Sequence, residues 1–351
     1  MLACDGDVRT GRLPGVKILF DHPDPFLLMH GGFQIQIEQT MDAVQKSGVE
    51  VEYLRWWDAA QQGDILHYFG RPRTAYVKFA QQKGMKVVMS QLLTGLGSRA
   101  GWKRSAQKLV IRASQAVLPS MVTAPFAWEA YRSVDASISL TPWEAQLMQD
   151  MFQVPAERIH VVPNGVEETF LQSRPSERGL WLICTATITE RKRVVELAEA
   201  AIAAQAPVWV VGQAYAESDA YAKRFLELAR REPKWIRYEG PVADRNKLAQ
   251  IYREARGFVL LSTMESLSLS ALEAAACECP LLLSDLPWAR TVFQNGASYC
   301  PITEDVSQTA AVLRKFYDAA PKLAPPLKPM TWAQVAGQLK SVYAGVLKTS
   351  R

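Results

Sequence analysis

Short apolar runs alternate with longer stretches in which apolar residues recur every three or four positions, and this rhythm runs through the chain twice. Residues 16–20, bounded by Gly15 and Asp21-His22-Pro23, read as a buried parallel strand. Phe33, Ile37, Met41 and Val44 then keep helical spacing until Gly48, and residues 49–54 return to strand character. Further strands are expected at 64–68, 85–89, 136–140 and 159–162, with helices near 73–82, 102–118 and 142–151. The polar segment 167–178 reads as a connector. The alternation then restarts, with strands expected at 180–185, 207–212, 235–239, 257–262 and 280–284 and helices around 194–204, 221–231, 246–255 and 268–276.

Two doubly wound α/β halves are the natural product of this pattern. The expected division is an N-terminal Rossmann-like domain over 1–166, a linker over 167–178, a C-terminal Rossmann-like domain over 179–320, and a Pro-rich crossover with a helix over 321–351. In that last segment Trp332, Val335, Leu339, Val342 and Val346 keep helical spacing, so the helix is expected to pack back toward the first domain. A length of 351 residues suits two cores better than one.

Composition narrows the class. Apolar residues at 48% and charged residues at 21% are the balance of a soluble globular protein. The apolar runs are far shorter than the roughly 20 residues that cross a bilayer. Residues 1–15 lack the apolar core of a secretory signal, so a cytoplasmic location is expected. The five cysteines (Cys4, Cys184, Cys277, Cys279 and Cys300) are scattered, with no histidine near them, which argues against a disulfide framework or a zinc site. The net charge of +5 hides an asymmetry. Between Ile65 and Trp128 no Asp or Glu occurs, while ten basic residues lie between Arg71 and Arg112, which leaves the rest of the chain at −5. On the helix expected at 102–118, Trp102, Ala106, Leu109, Ala113 and Val117 form one stripe, and Arg104, Lys108 and Arg112 form another. Two readings stand: a helix packed on its own domain with a solvated basic face, or peripheral contact of 71–112 with an anionic membrane on its inner face or a phosphate-bearing acceptor. Nucleic acid is not expected, because no aromatic-interleaved platform or helix-turn-helix pattern accompanies the charge.

Neither half carries the G-x-G-x-x-G or G-x-x-x-x-G-K-[ST] fingerprint. The segment Glu265-Ser266-Leu267-Ser268-Leu269-Ser270-Ala271-Leu272-Glu273 instead follows an expected strand and opens a helix, at the carboxyl end where open α/β sheets place ligands. A helix starting near Ser268 would offer its first free amides to a diphosphate. Glu273, about a turn in, could accept from a ribose diol, and Glu265 could reach a sugar hydroxyl. Leu272, Ala274, Ala275 and Ala276 make that helix apolar nearly all round, which counts against a merely solvated Glu273.

With this glutamate pair, several other features resemble the retaining GT-B glycosyltransferases of glycosyltransferase family 4. They are Val161-Val162-Pro163-Asn164-Gly165-Val166, preceded by Asp135 to Leu140 and by Thr141-Pro142-Trp143-Glu144; Lys192; Val210-Val211-Gly212; and Tyr238-Glu239-Gly240 with Leu248, Tyr252 and Ala255. The resemblance covers about 16–346 and is stronger after Ala136. It implies a GT-B fold with an interdomain cleft and transfer of a sugar, with retention, from a nucleotide-diphosphate donor to an acceptor hydroxyl on a glycan or lipid-linked molecule, with no cofactor or metal. Glu265 and Lys192 are then the catalytic candidates, binding the transferred sugar and the diphosphate. The donor-binding set is Glu273 on the ribose, Ser266, Leu267, Ser268, Arg191, Thr187 and Gly212, with Gly31 and Gly32 closing from the other domain. His67, Gln91 and Asn164 are cleft candidates; His30 has the same standing as His67.

Three departures bear on activity. Ala186-Thr187 stands where the family usually has Gly-Arg, so Arg191 or Arg193 must supply the second phosphate cation. Ser90-Gln91 stands where many members carry a histidine, and Leu267-Ser268-Leu269 replaces a usual glycine. A non-catalytic nucleotide-sugar-binding protein and a GT-B epimerase or phosphorylase are the alternatives.

Overall fold

The computed structural model describes residues 15–27, 31–99, 101–117, 120–123, 126–172, 177–216 and 218–348. His30 and Cys4 lie outside them. Two six-stranded parallel sheets form the frame. The first is built from β1 (Lys17–Asp21), β2 (Glu50–Tyr53), β3 (Ile65–Phe69), β4 (Lys86–Ser90), β5 (Ala136–Ser139) and β6 (Ile159–Val161), in the order β2-β1-β3-β4-β5-β6. The second holds β7 (Leu182–Thr185), β8 (Val208–Val211), β9 (Ile236–Tyr238), β10 (Gly257–Leu260), β11 (Leu281–Ser284) and β12 (Ser298–Cys300), in the order β12-β11-β10-β7-β8-β9. Each strand falls where its apolar run lies. The exception is β12, whose three residues carry no readable period and which gains its partners only by pairing with β11. The helices Pro287–Phe293 and Val306–Ala319 also lie outside the expected set.

Both faces of the first sheet are covered. On one, Ile18, Phe20 and Val88 pack with Ile37 and Val44 of the helix Gly32–Lys46 and with the helix Trp332–Lys348. On the other, Leu66, Val87 and Met89 meet Val77, Leu147 and Phe152. The C-terminal helix thus completes the first domain's core, burying Trp332, Val335, Leu339, Val342 and Val346. At about 1.5–3 kcal/mol per large apolar side chain, this return is a main tie between the chain's end and its first half. The crossover is tight: a Cβ on Gly165 would sit 2.6 Å from the Trp332 amide nitrogen. The expected connector 167–178 contains a helix, Glu168–Leu171, whose Phe170 is fully buried in the second core.

The helix Gly101–Val117 settles one alternative left open by its sequence. Trp102, Leu109 and Val117 are 72%, 71% and 79% exposed, while Ile111 is buried. The basic stripe leans toward the helix Pro142–Phe152, with Arg112 still exposed at its edge: Lys108 Nζ lies 3.3 Å from Asp150, Arg112 donates to the Asp150 carbonyl at 3.1 Å, and Arg104 stacks over Trp143. The helix is therefore not packed by its apolar face with a solvated basic one. Among the described residues no helix is long and apolar enough to cross a membrane.

Candidate active site in the interdomain cleft

The carboxyl ends of both sheets border a cleft of about 800 Å³, within the usual range for small-molecule sites. Beyond β10 the chain turns through residues 261–268 into the helix Leu269–Ala276. Ser268 is the N-cap, its Oγ accepting from the Ala271 amide at 3.4 Å, so the helix starts where the serine pattern places it. Facing it, the helix Gly32–Lys46 begins at Gly31, whose φ of +118° is a left-handed conformation suited to glycine. A Cβ on Gly32 would lie 3.7 Å from Leu269 Cδ1, so the two helix starts meet across the cleft. Neither first turn carries an acid, which leaves two sets of free amides facing one space.

Lys192 and Arg191 come from the turn Glu190–Lys192 after β7. Both hold Glu265: Lys192 Nζ pairs with its Oε1, and Arg191 Nη1 donates to the same oxygen at 3.1 Å. Arg191 also donates to the Met264 carbonyl at 2.9 Å, which fixes the loop backbone. Arg193 does not share this role. It is buried with its guanidinium on the Thr303 carbonyl, so Arg191 is the cation beside Lys192 at the cleft. Thr187 and Gly212 line the same wall. Gly212, at φ +149°, lets β7 and β8 end in contact, since a Cβ there would lie 1.9 Å from the Ala186 carbonyl oxygen.

Glu273 lines the cleft but is largely buried and already partnered. Arg245 pairs with its Oε1, Tyr252 donates to Oε2 at 3.2 Å, and Arg245 reaches Glu167 at 2.8 Å as well. Burial pushes the Glu273 carboxyl above its ordinary value, and the nearby Arg245 charge opposes that rise. Arg245 is a residue the sequence reading missed. The available signal was a cation in the first turn of a helix, where the macrodipole favours acids.

Ser266 and Leu267 line the cleft between the two glutamates, and Asn164 borders it from the first domain's end. Ser266 Oγ lies 2.6 Å from Thr94 Oγ1, and its hydroxyl also bonds Glu144. The buried Glu144 carboxylate accepts from the Leu93 amide at 2.8 Å and the Leu140 amide at 3.0 Å. Burial raises its pKa, and these donors oppose the rise. The sequence signal, Thr141-x-x-Glu144, reads as a helix-capping box; the hydroxyl does cap, but the carboxylate is spent on the cleft loops.

Two cleft candidates lie elsewhere. His67 is fully buried in the first core, with Nδ1 2.7 Å from Tyr343 Oη and Nε2 2.7 Å from Ser90 Oγ, and burial lowers its pKa to about 3. His67 is the middle residue of β3 and meets Tyr343 of the helix Trp332–Lys348, which covers that face of the sheet, so it lies in the core rather than the cleft. Gln91 folds back, donating to the Leu92 carbonyl at 2.8 Å, and does not line the cleft. Among the described residues no group of three or more His, Cys, Asp or Glu is placed to share a metal ion.

Residues 180–319 match the family model described as glycosyl transferases group 1. No curated protein matches the chain by sequence. Solved structures resemble it over nearly its whole length. An Anabaena protein, HepE, in complex with UDP superposes with a TM-score of 0.64 at 13% identity, covering 95% of this chain and 99% of that one. Sucrose-phosphate synthase from Thermosynechococcus elongatus gives 0.64 at 15% identity, with 95% and 100% covered. AviGT4, a glycosyltransferase involved in avilamycin A biosynthesis, gives 0.59 at 14% identity, with 95% and 99% covered. The fold is GT-B, and within its second α/β unit residues 180–319 are similar to the group 1 glycosyl transferases.

Proposed function

We propose that the chain moves one sugar from a nucleotide-diphosphate donor to an acceptor hydroxyl on a glycan or lipid-linked molecule, in the manner of family 4, with retention of anomeric configuration and without a bound metal. The observation that carries the reading is the convergence of Lys192, Arg191 and two helix starts on the cleft beside Glu265. Departure of a nucleoside diphosphate develops negative charge on the diphosphate and positive charge at the anomeric carbon. Preorganised cations and amides favour the first, and a carboxylate favours the second.

In this reading Glu265 takes a hydroxyl of the transferred sugar, and Lys192, with Arg191, turns from Glu265 toward the diphosphate when donor enters. Glu273 and Arg245 meet the ribose side of the nucleotide, with Thr187 and Gly212 below it. HepE has been solved with UDP, with UDP and glucose, and with UDP-glucose, which makes uridine donors the first probes. A cytoplasmic working place belongs to the same proposal, because nucleotide sugars are the substrates.

A thermal-shift screen of UDP-, GDP- and ADP-sugars at equal concentration reads donor choice, since a donor that binds more tightly raises the midpoint further. Transfer or donor hydrolysis by wild type is then compared with Glu265→Gln and Lys192→Ala; unchanged rates in both would overturn the site assignment. Following the product anomer by NMR decides retention.

A further inference from the structure

The helix Gly101–Val117 presents to solvent the face that ordinary packing buries. Trp102, Leu109, Val110 and Val117 are all exposed, with Ala106 and Ala113 exposed between them. At 3.6 residues per turn these six positions fall within about 100° of arc and run about 22 Å along the axis. Lys103 and Arg112, both exposed, border the stripe on opposite sides, and Lys103 also sits over the Trp102 ring. Arg99 precedes the helix, and no Asp or Glu occurs from Ile65 to Trp128.

An apolar stripe flanked by cations on both sides matches the boundary between acyl chains and anionic headgroups. A second copy of this chain fits less well, because a symmetric pairing would bring the same cations against these, and the neighbouring acid, Asp150, is already engaged by Lys108 of the same helix. We propose that this helix is an interfacial docking surface for a bilayer carrying anionic lipid. Trp102, Leu109, Val110 and Val117 enter the acyl boundary, and Lys103 and Arg112 meet the headgroups. The helix rests on the helix Pro142–Phe152 through Asp150 and Trp143, and that helix carries Glu144, which holds the cleft loops. A docked membrane would therefore lie against the element that reaches the cleft. The surface stands on its own geometry and does not rest on the donor-site reading.

The test is flotation of the donor-free protein with phosphatidylcholine vesicles, with and without phosphatidylglycerol, at low and high salt. Binding is expected only with phosphatidylglycerol and is expected to weaken with salt. The double variant Leu109→Ser/Val117→Ser should lower vesicle partitioning by about tenfold or more, while Lys103→Gln weakens binding chiefly at low salt. These side chains are exposed, so the thermal midpoint should hold, and a UDP-sugar thermal shift unchanged in the double variant keeps this test separate from the donor site. Absent binding, equal binding to neutral vesicles, or equal binding by the double variant would overturn the proposal. Self-association in sedimentation that the same variant abolishes would assign the face to a second copy and overturn it equally.

Discussion

The Ser266 hydroxyl lies 2.6 Å from the Thr94 hydroxyl, so the loop that carries Glu265 is tied to the first domain by the very next residue. The same serine bonds the buried Glu144, whose other donors are the amides of Leu93 and Leu140. A small polar cluster thus sets how the two walls of the cleft stand to each other. A neutral hydrogen bond is worth about 1 kcal/mol net, and leaving a buried acceptor short of a donor costs more.

Ser266→Ala is therefore expected to lower the apparent unfolding free energy by about 1–2 kcal/mol. A double-mutant cycle with Thr94→Val, read by denaturant unfolding, should give a coupling of about 0.5–1.5 kcal/mol. Additive effects would show that the two hydroxyls do not communicate.

Lys192→Ala removes the cation that Glu265 now holds and that the proposed function assigns to the leaving diphosphate. Its kcat/KM should fall by about 10²–10³, the scale for loss of one preorganised charge in a transition state. Lys192→Arg should recover part of the loss. Steady-state kinetics with the donor chosen by the thermal-shift screen decides the matter.

Gly212→Ala places a methyl group 1.9 Å from the Ala186 carbonyl oxygen and forces an L-residue to φ +149°. Backbone must move at the junction of β7 and β8, and a loss of about 3 kcal/mol or more follows. A lower thermal midpoint with weaker donor binding is expected. A variant as stable as wild type would mean that the turn relaxes freely.

His67 links stability to pH. Its folded pKa is lowered to about 3 by burial, against 6.5 for the free imidazole. Above pH 6.5 both states are neutral, and the contribution is complete. Below it the unfolded chain takes up a proton that the folded one refuses. Unfolding free energy then falls by up to about 1.4 kcal/mol per pH unit until the folded pKa is reached. His67→Gln should flatten the wild-type dependence between about pH 6.5 and 4 in denaturant titrations; parallel curves would refute the assignment.

Most of the frame was legible because parallel strands buried on both faces must be apolar runs. Among the described residues eleven of the twelve strands fall where the apolar or alternating pattern places them, and β12 was missed because Ser298-Tyr299-Cys300 carries no apolar run. Ser268 at the helix start was legible too, through local capping chemistry that needs no tertiary partner. His67 was not, since a histidine within a strand looks the same whether it faces a cleft or Tyr343, 276 residues away in the chain.

By itself, then, the sequence determined the two α/β halves, the return of the C-terminal helix, and the placing of Glu265 and Glu273 at a strand-to-helix turn. Those follow from periodicity and capping, which act over a few residues. Only the tertiary structure decided which cation serves the cleft, Arg191 rather than Arg193, and that Arg245 already holds Glu273. Likewise it turned the apolar stripe of the helix Gly101–Val117 outward and the basic one toward Asp150. The reason is that a charge or an apolar face takes its meaning from what lies opposite, and partners distant in the chain are chosen by packing rather than by local pattern.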